Sequence, residues 1–403
     1  MSKTKEVYLS DDVRKQNRLR IISQFRLHGK KSRTEISTLA DLSAGTVTNV
    51  STMLLDDGII RVCEPEGARQ SSASHGRPRV QLELNPEYKF VVAGSLTFNS
   101  ISLSIFDYLG DKVATVQEKV ALENMDGNEI AQIILSMIDG LETNAIPSIF
   151  VLGVQGLTNN NGSEILWSPI LSDSGMKFAD HLSKQSKAEV IVANDSAMIA
   201  RSLSKDKAYA EGTFAAVLMS YGIGLGLYID GQPFKGAKSS ASELGHISFK
   251  GSDGALCRCK KHGCVEAYAS DYAIWRRAKQ LDPNTLPEKP VTSEDIANII
   301  EEAKQGEGPA REAIREAGRA IGFGLAIMFG LFDAFPVVFV GRGAQALDLM
   351  QDDIKQSLDE HFRFHKQFDV AFTKSSDALI HVETGSSIVG LEWLDQQAAF
   401  GKS

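Results

Sequence analysis

The stretch Cys257-Arg-Cys-Lys-Lys-His-Gly-Cys-Val-Glu266 is the most specific in the chain, and Glu243-Leu-Gly-His246 lies just before it. Three of the four cysteines of the chain fall within eight residues here, with a histidine eleven residues upstream. Thiolates gathered around an imidazole favour zinc, which three sulfurs and one nitrogen hold tetrahedrally. The pattern therefore predicts a structural zinc site, because four protein ligands leave no position for an activated water. His246 can supply the nitrogen, and His262 competes for that role; three clustered free thiols are the alternative.

Carboxylates on either side of this stretch suggest a second kind of chemistry. Glu243 and Glu266 flank the cysteines, and two carboxylates held near a metal loop can bind the neighbouring hydroxyls of a sugar. Taken singly, such residues are more often surface charges. Asn194-Asp195 follows the strand-like residues 189–192, and strand ends in an α/β protein carry polar groups into a cleft. Asp195 can accept a proton from a sugar hydroxyl, or it can cap the next helix.

The residues around these motifs predict an α/β body. From residue 88 onward, apolar strand-like runs alternate with helical segments, which is typical of α/β folds. Two glycine-rich stretches, Gly222-Ile-Gly-Leu-Gly226 and Gly341-Arg-Gly343, follow apolar strands. Glycines in such places let backbone N–H groups approach a phosphate, or they form tight turns. A chain of 403 residues is two to three times the size of a typical domain, so we expect more than one folding unit.

The first 86 residues predict a winged helix-turn-helix. Residues 13–28 have apolar side chains at helical spacing, and Gly29 can end that helix. Ser32 and Glu35 form a capping-box pattern for a second helix, and Ser43 can cap a third. Residues 59–62 and 80–84 are strand-like. Three short helices followed by two strands place the third helix where it can enter the major groove of DNA.

The charge distribution supports DNA as the partner of this head. Residues 1–90 carry 15 Lys/Arg and 11 Asp/Glu, a net charge of +4, whereas the whole chain carries −8. Basic side chains would contact phosphates and the third helix would contact base edges, while Arg77 of the wing resembles an arm that enters the minor groove. Helix-turn-helix folds also bind proteins, and the wing can be an ordinary loop. The predicted DNA-binding residues are Arg33, Thr46, Thr48, Asn49, Ser51 and Arg77.

Composition excludes several other classes of protein. Apolar residues make up 43% and charged residues 23%, the proportions of an ordinary globular protein. The longest apolar run, residues 320–332, is shorter than the ~20 residues that a membrane-spanning helix requires. The N-terminal residues lack the apolar core of a signal peptide, and four cysteines are too few for a disulfide framework. We therefore expect a cytoplasmic protein with no membrane segment.

The head and the cysteine motif together resemble the ROK family (repressor, open reading frame, kinase). The winged head ends in Gly76-Arg77-Pro78, and Gly245-His246 is followed by C-R-C-K-K-H-G-C-V-E. This motif departs from the family pattern at Lys260, where the family has Gly. The combination of head and motif is similar to the sugar-responsive repressors of that family.

The resemblance implies a fold and a set of ligands. It implies a winged helix-turn-helix over residues 1–86 and a two-lobed body of the actin/hexokinase type over residues 87–403, with a sugar cleft between the lobes. It also implies a homodimer or higher homo-oligomer that binds double-stranded operator DNA and a sugar or sugar phosphate. The zinc ligands that it implies are His246, Cys257, Cys259 and Cys264. The sugar-binding residues that it implies are Asn194, Asp195, Glu243, His246 and Glu266.

One departure from the family argues against catalysis. ROK kinases carry a D-x-G-x-T phosphate loop, and the matching stretch here is Ala93-Gly-Ser-Leu-Thr97, in which alanine replaces the acid. Because a carboxylate or its bound waters normally hold the Mg²⁺ of ATP, we expect a sugar-binding protein that is not an enzyme, with Asp195 as a vestigial base. An active sugar kinase with a DNA-binding head is the main alternative. A repressor that senses a partner protein is another.

Overall fold

The computed structural model describes residues 3–63, 80–237, 242–287, 289–363, 370–375 and 377–401, with side chains from residue 11 onward. The head contains three helices and an antiparallel three-stranded sheet of order β1-β3-β2, which confirms a winged helix-turn-helix arrangement. Its first helix is longer than predicted and begins at residue 3. The predicted wing residue Arg77 lies outside the described residues. The elements of the head are α1 Lys3–His28, β1 Lys31–Ser32, α2 Arg33–Ala40, α3 Ala44–Asp56, β2 Ile60–Val62 and β3 Gln81–Leu84.

Local side-chain caps start the second and third helices where the sequence predicts. The Ser32 side chain accepts a hydrogen bond from the Glu35 N–H, and the Glu35 carboxylate accepts one from the Ser32 N–H at 2.8 Å. The Ser43 hydroxyl accepts a hydrogen bond from the Thr46 N–H at 3.1 Å. Such caps satisfy N–H groups that have no partner within the first turn of a helix. The starts of α2 and α3 are therefore fixed by contacts within a few residues of sequence.

The first lobe of the body is a five-stranded sheet of order β10-β7-β4-β5-β6. Strands β4, β7 and β10 are parallel neighbours, and β4, β5 and β6 form an antiparallel meander. One face of this sheet packs on α4 and α5 through a buried apolar cluster. The elements are β4 Phe90–Thr97, β5 Ser100–Phe106, β6 Lys112–Glu118, α4 Gly127–Asp139, β7 Pro147–Val154, β8 Leu157–Thr158, β9 Ile165–Trp167, α5 Phe178–Ser186 and β10 Glu189–Asn194.

The second lobe has its own five-stranded sheet, of order β13-β12-β11-β14-β15, packed against helices of its own. Two lobes, each with a mixed sheet and helices, give the actin/hexokinase architecture that the resemblance implies. The remaining elements are α6 Asp195–Leu203, β11 Phe214–Met219, β12 Ile223–Ile229, β13 Gln232–Pro233, α7 Glu266–Ala269, α8 Asp271–Ala278, α9 Ser293–Lys304, α10 Pro309–Phe332, β14 Val337–Val340, α11 Leu347–His361, β15 Phe372–Ser375 and α12 Ala378–Phe400. Within the described ranges, no helix is both long and apolar enough to cross a membrane.

Helix α12 packs against both lobes at very short range. A Cβ atom added to Gly385 would lie 1.9 Å from the carbonyl oxygen of Met198 in α6. A Cβ atom added to Gly390 would lie 2.4 Å from the Val91 side chain in β4. Neither distance accommodates a side chain, so both glycines are required for the helix to approach its neighbours. Helix α12 therefore fixes α6 against the sheet of the first lobe.

The same helix also holds the head. The Arg26 guanidinium forms a two-pronged ion pair with Asp395, with N···O distances of 2.7 and 3.1 Å, and donates to the carbonyl of Tyr108. Arg18 donates to the carbonyl of Ala398 at 2.9 Å and pairs with Asp57 at 2.7 Å. Arg18 belongs to the basic side chains that the sequence assigns to DNA phosphates, but in the structure it faces the body. One buried apolar cluster runs from the head into β4, β7 and α12, across the predicted boundary at residue 86.

We expect Asp395→Asn to loosen the head from the body. The side chains of Arg26 and Asp395 are only 20% and 9% exposed, so removing one charge leaves the other poorly solvated. The expected loss is about 3 kcal/mol in the free energy of unfolding, measured by urea titration. The control is Glu301→Gln, which breaks an exposed pair with Lys304 and should cost about 1 kcal/mol or less. Equal losses in the two variants would contradict a structural role for the Arg26–Asp395 pair.

Candidate functional site

A cavity of about 470 Å³ lies between the two lobes. Its walls come from the ends of β7 and β10, the start of α6, strand β12 and the loop that carries the cysteines. Residues of α12 also reach it, through Val389 and Glu392. All five predicted sugar-binding residues line this cavity, although they are spread over more than seventy positions of sequence: Asn194, Asp195, Glu243, His246 and Glu266.

Asn194 and Asp195 have different roles at the start of α6. The Asn194 side chain caps the helix by accepting from the Ala197 N–H at 3.1 Å, and it donates to the Gly156 carbonyl at 2.9 Å. Asp195 is the first helical residue and not the cap. One oxygen of Asp195 accepts from the N–H and hydroxyl of Ser196, while burial raises the pKa of this carboxyl to about 6. A carboxyl with such a pKa can exchange a proton near neutral pH.

Glu243, His246 and Glu266 form the opposite wall. The Nε2 atom of His246 lies 3.9 Å from a carboxylate oxygen of Glu243. Burial raises the pKa of Glu243, and the nearby His246 partly opposes this rise. Glu266 is buried, and it accepts from the Cys257 thiol, the Tyr272 hydroxyl and the Ile223 N–H, each at 3.4 Å. These long hydrogen bonds leave its carboxylate with capacity for a ligand hydroxyl.

The four predicted metal ligands converge on one point. One ligand atom from each of them lies within 4.8 Å of the others. The Nδ1 atom of His246 is 3.8 Å from the Cys257 sulfur, and the sulfurs of Cys259 and Cys264 are 3.7 Å apart. The competing residue His262 does not join them, because it is exposed and its Nδ1 lies 2.9 Å from the Gly254 carbonyl oxygen. The structure therefore brings together the set His246, Cys257, Cys259 and Cys264.

The chemistry of this set fits a thiophilic divalent ion. Burial raises the pKa of Cys264 to about 11 and raises that of Cys257 as well. Neutral thiols crowded in a buried loop gain little from one another, whereas a dication converts them to thiolates and satisfies all four donors. His246 presents Nδ1 to the sulfurs and Nε2 to the cavity. One imidazole therefore connects the metal loop to the ligand site.

The glycine-rich stretches serve packing in this structure. Gly224 and Gly226 lie within β12, and a Cβ atom added to them would lie 1.9 Å from the Ser196 hydroxyl and 2.2 Å from the Ser196 carbonyl. Gly341 has a φ of +102° directly after β14, which favours glycine at a tight turn. The sequence allows these glycines either to approach a phosphate or to form tight turns. In the structure, Gly224 and Gly226 allow close packing, and Gly341 forms a turn.

Three further residues line the cavity that the sequence did not single out. Trp167 lies edge-on to His246, with ring centroids 6.1 Å apart, and supplies the aromatic wall that small-molecule sites favour. Gln155 and Arg258 add polar groups. The position of Arg258 near the ligand site could have been predicted from the sequence, because it lies between two metal ligands in the cysteine motif. Gln155 directly follows β7 and Trp167 is the last residue of β9, and neither belongs to a local sequence pattern.

The exposed face of α3 differs in one residue from the predicted one. Thr48 and Asn49 are exposed, and Thr46 and Arg33 are half-buried. The Nε–H of Arg33 donates to none of the described residues. Ser51 is fully buried, so the prediction that it belongs to the DNA-contacting face of α3 is wrong. It stands four residues after Val47, at a helical spacing that points into the core. The polar face instead continues through the exposed Thr52.

Comparison with known proteins gives the family of this fold and site. A model of the ROK family matches residues 99–394, which include the metal loop and most of both lobes. The chain belongs to the ROK family. Its curated relatives include a xylose repressor of Caldicellulosiruptor bescii, 23% identical over 82% of this chain and 84% of that protein. They also include the DNA-binding transcriptional dual regulator NagC of Escherichia coli K12, 26% identical over 81% of this chain and 80% of that protein.

Solved structures of ROK proteins share the fold over the whole chain or over the body. A ROK family transcriptional regulator, described as a homologue of the E. coli MLC protein, has a TM-score of 0.75 at 21% identity. The match covers 97% of this chain and 100% of that one. A ROK glucokinase of Streptomyces griseus has a TM-score of 0.60 at 21% identity, and the match covers 74% of this chain and 98% of that one. The regulator therefore shares the head, and the kinase matches a smaller part of this ROK chain.

We expect one metal ion per chain in protein purified without chelator. Cys264→Ser should abolish its retention, because a tetrahedral site with three protein ligands binds much more weakly. His262→Ala and Cys63→Ser should retain the ion, since neither residue lies in the set. Metal analysis by mass spectrometry checks all four proteins. Retention by Cys264→Ser together with loss from His262→Ala would contradict the ligand assignment.

The raised pKa of Asp195 predicts a pH-dependent effect of Asp195→Asn. The pKa of Asp195 is about 6 in the folded protein and ~3.9 in an unfolded chain. The contribution of Asp195 to the free energy of unfolding is therefore most favourable below pH ~4, and it is lost as the pH rises through 6. The variant should therefore be more stable than the wild type at pH 7.5, on the order of 1–3 kcal/mol, with no gain at pH 4.

Urea unfolding at the two pH values measures this difference. The exposed Asp173 offers a matched control, since Asp173→Asn should change stability little at either pH. A gain for Asp195→Asn that is the same at pH 4 and pH 7.5 would show that ionisation is not its cause.

Proposed function

We propose that this protein is a DNA-binding transcriptional regulator, acting as a repressor of carbohydrate genes, whose affinity for operator DNA is controlled by a sugar or sugar phosphate in the cleft. The observation that carries the proposal is the position of α12. Val389 and Glu392 of this helix line the cavity, and Asp395 and Ala398, on the next turn or two, bind the head. The curated relatives named above, a xylose repressor and NagC, support the same role.

The head supplies the DNA-binding half of the proposal. Thr48 and Asn49 are exposed on α3, the helix that enters the major groove in proteins of this class. Thr46 at its start and Thr52 one turn further on extend the same polar surface. Arg33, and Arg77 of the wing, would contact the DNA backbone and the minor groove. A homodimer would place two such heads ~34–36 Å apart, on successive major grooves.

The body supplies the sugar-binding half. Asp195, Glu243 and Glu266 offer carboxylate acceptors, Asn194 offers an amide, and the Nε2 atom of His246 faces the cavity. Each hydrogen bond between a hydroxyl and a charged group contributes about 1.5–3 kcal/mol, so a few of them select one arrangement of hydroxyls. Zinc in the four-ligand set would be structural, since its shell is full. By fixing Nδ1 of His246, it would orient Nε2 toward the sugar.

Ligand binding reaches the head through α6 and α12. Asp195 begins α6, and α6 is tied to α12 by an Arg201–Glu392 ion pair and by the Ser202 hydroxyl, 3.0 Å from Nδ1 of His381. A sugar that draws Asp195 toward Glu243 closes the lobes and carries α12 with α6. Because Asp395 binds Arg26, movement of α12 reorients α1 and the rest of the head. A preference for the closed state of ~1–3 kcal/mol corresponds to a 5- to 150-fold change in DNA affinity.

Loss of kinase activity is the other part of the proposal. Ala93 is fully buried in the apolar cluster shared by the head and the first lobe, so the position that holds an acid in ROK kinases belongs to the core here. At the end of the same strand, Phe98 stacks on Tyr221 with ring centroids 5.5 Å apart. Phe98 lies in the β4–β5 turn, which in a kinase would face the phosphates of ATP. Asp195 then has no phosphoryl donor to direct a hydroxyl toward.

An operator-binding assay tests the proposal. Full-length protein should bind its operator with an affinity that changes 5- to 150-fold when the correct sugar is added, with no ADP formed from Mg·ATP. Asn49→Ala should change the base preference, while Arg33→Ala should weaken binding to all sequences and reduce the salt dependence. Turnover near the 1–100 s⁻¹ usual for kinases, lost on Asp195→Asn, would establish the kinase alternative. A sugar response that depends on an added protein would establish the partner-sensing alternative.

A further inference from the structure

Arg258 stands apart from the other polar residues of the cleft. It lies between two metal ligands in the chain and lines the same cavity as Asp195 and Glu266. Its guanidinium donates one hydrogen bond, to the Tyr221 carbonyl at 3.2 Å, and forms no ion pair with any described residue. A guanidinium carries five N–H donors, so most of the hydrogen-bonding capacity of Arg258 is unused.

Aromatic rings hold this guanidinium in place. Its central carbon lies 4.7 Å from the ring centroid of Tyr272, 5.5 Å from that of Tyr221 and 6.0 Å from that of Phe98. Rings at these distances stabilise a cation through their faces while they offer it no counter-charge. The group is therefore half-buried, oriented and ready to bind before any ligand arrives. Such preorganisation lowers the entropy cost of binding an anion.

The other charges nearby are already paired. Arg342 stacks on Tyr221 as well, but it forms an ion pair of 3.0 Å with the buried Asp271. Arg201, also in the cavity wall, pairs with Glu392. Asp271 also interacts electrostatically with Arg258, but more weakly than with Arg342, and its direct ion pair is with Arg342. Arg258 itself forms no ion pair with a described residue, so most of its N–H groups are available to an anion in the cleft.

We propose that Arg258 binds the phosphate of a phosphorylated sugar, so the ligand of this cleft is a sugar phosphate and not a neutral sugar. This inference rests on the proposed function, because it takes the cleft to be a sugar site. Asp195 and Glu243 repel an anion and suit the hydroxyls of the ring, so the phosphate would face away from them. The guanidinium of Arg258 provides two adjacent N–H edges, the arrangement that matches phosphate oxygens.

The position of Arg258 in the fold supports the same assignment. Phe98, one of the rings that hold it, comes directly after Ala93–Thr97, the stretch that resembles the phosphate loop of ROK kinases. The hairpin that carries this stretch would face the phosphates of a nucleotide in a kinase. Here the same end of the cleft presents a cation fixed to the protein. A phosphate that is covalently part of the ligand can therefore occupy it.

Calorimetric titration of the full-length, metal-loaded protein tests this inference. The probes are glucose, mannose and N-acetylglucosamine, each compared with its 6-phosphate and 1-phosphate, and inorganic phosphate alone. At least one phosphorylated sugar should bind about 10- to 100-fold more tightly than its neutral parent. Arg258→Gln should weaken binding of the phosphorylated sugar far more than binding of its neutral parent, so that the ratio of the two affinities falls toward one, and Arg258→Lys should keep part of the preference. The control Arg277→Gln, which removes an exposed arginine of α8, should keep all of it.

The outcomes separate this inference from the proposed function. Neutral sugars that bind as tightly as their phosphates, with Arg258→Gln unchanged for both, would overturn the sugar-phosphate assignment and leave a sugar-controlled regulator standing. An equal loss of phosphosugar binding in Arg277→Gln would also overturn it, because the effect would then be one of overall charge. Absence of any sugar binding, with no effect of sugars on operator affinity, would overturn the proposed function itself. Metal content and thermal unfolding show whether each variant is folded. If Arg258→Gln is unfolded, the comparison is made with Arg258→Lys instead.

Discussion

The close packing of α12 against its neighbours is the constraint on which the rest of the structure depends. Gly385 lets this helix touch the backbone of α6, and Gly390 lets it touch β4. The same helix continues without a break to Asp395 and Ala398, which hold the head. A helix of this kind moves as a unit, because its hydrogen bonds leave little freedom between one turn and the next. Under the proposed function, a change at the cleft would therefore be transmitted to the head.

The metal loop imposes a second constraint, at the opposite wall of the cleft. Its four donors lie together although one of them comes from a separate turn, and His246 faces both the sulfurs and the cavity. Arg258 belongs to the same loop, between Cys257 and Cys259. The residues that would recognise a ligand thus depend on the residues that would hold a metal. Loss of the metal is expected to disturb the ligand site before it disturbs the two sheets.

Patterns that act over a few residues were predictable from the sequence. The capping box at Ser32, the cap at Ser43 and the cysteine motif each depend on neighbours three to eleven positions away, and the structure has them as predicted. The prediction that Asn194, Glu243 and Glu266 share one site came from the family resemblance, because no local pattern joins residues so far apart in the sequence. The winged helix-turn-helix head and the α/β class of the body were predicted from local patterns, and only the two-lobed architecture came from the resemblance.

What the sequence did not reveal depends on contacts between distant elements. Arg18 belongs to a basic run that looks suited to DNA, but its partner Ala398 is 380 residues away. Ser51 is polar, yet its place one turn after Val47 puts it in the core. Helix α12 has apolar residues on all sides because it packs against three different surfaces, so it shows no amphipathic pattern. In each case tertiary packing outweighs the local preference.

Thermodynamic linkage between ligand and DNA tests the central claim, which is that the cleft and the head are coupled through α12. The affinity for the sugar ligand should be measured by calorimetry with free protein and with operator-bound protein, and again in the Asp395→Asn variant. Linkage requires that operator DNA changes the sugar affinity by the same factor by which the sugar changes the DNA affinity. The account predicts that this factor falls toward one in the Asp395→Asn variant, while sugar binding to the free variant persists. A coupling factor that stays the same after Asp395→Asn would contradict the account.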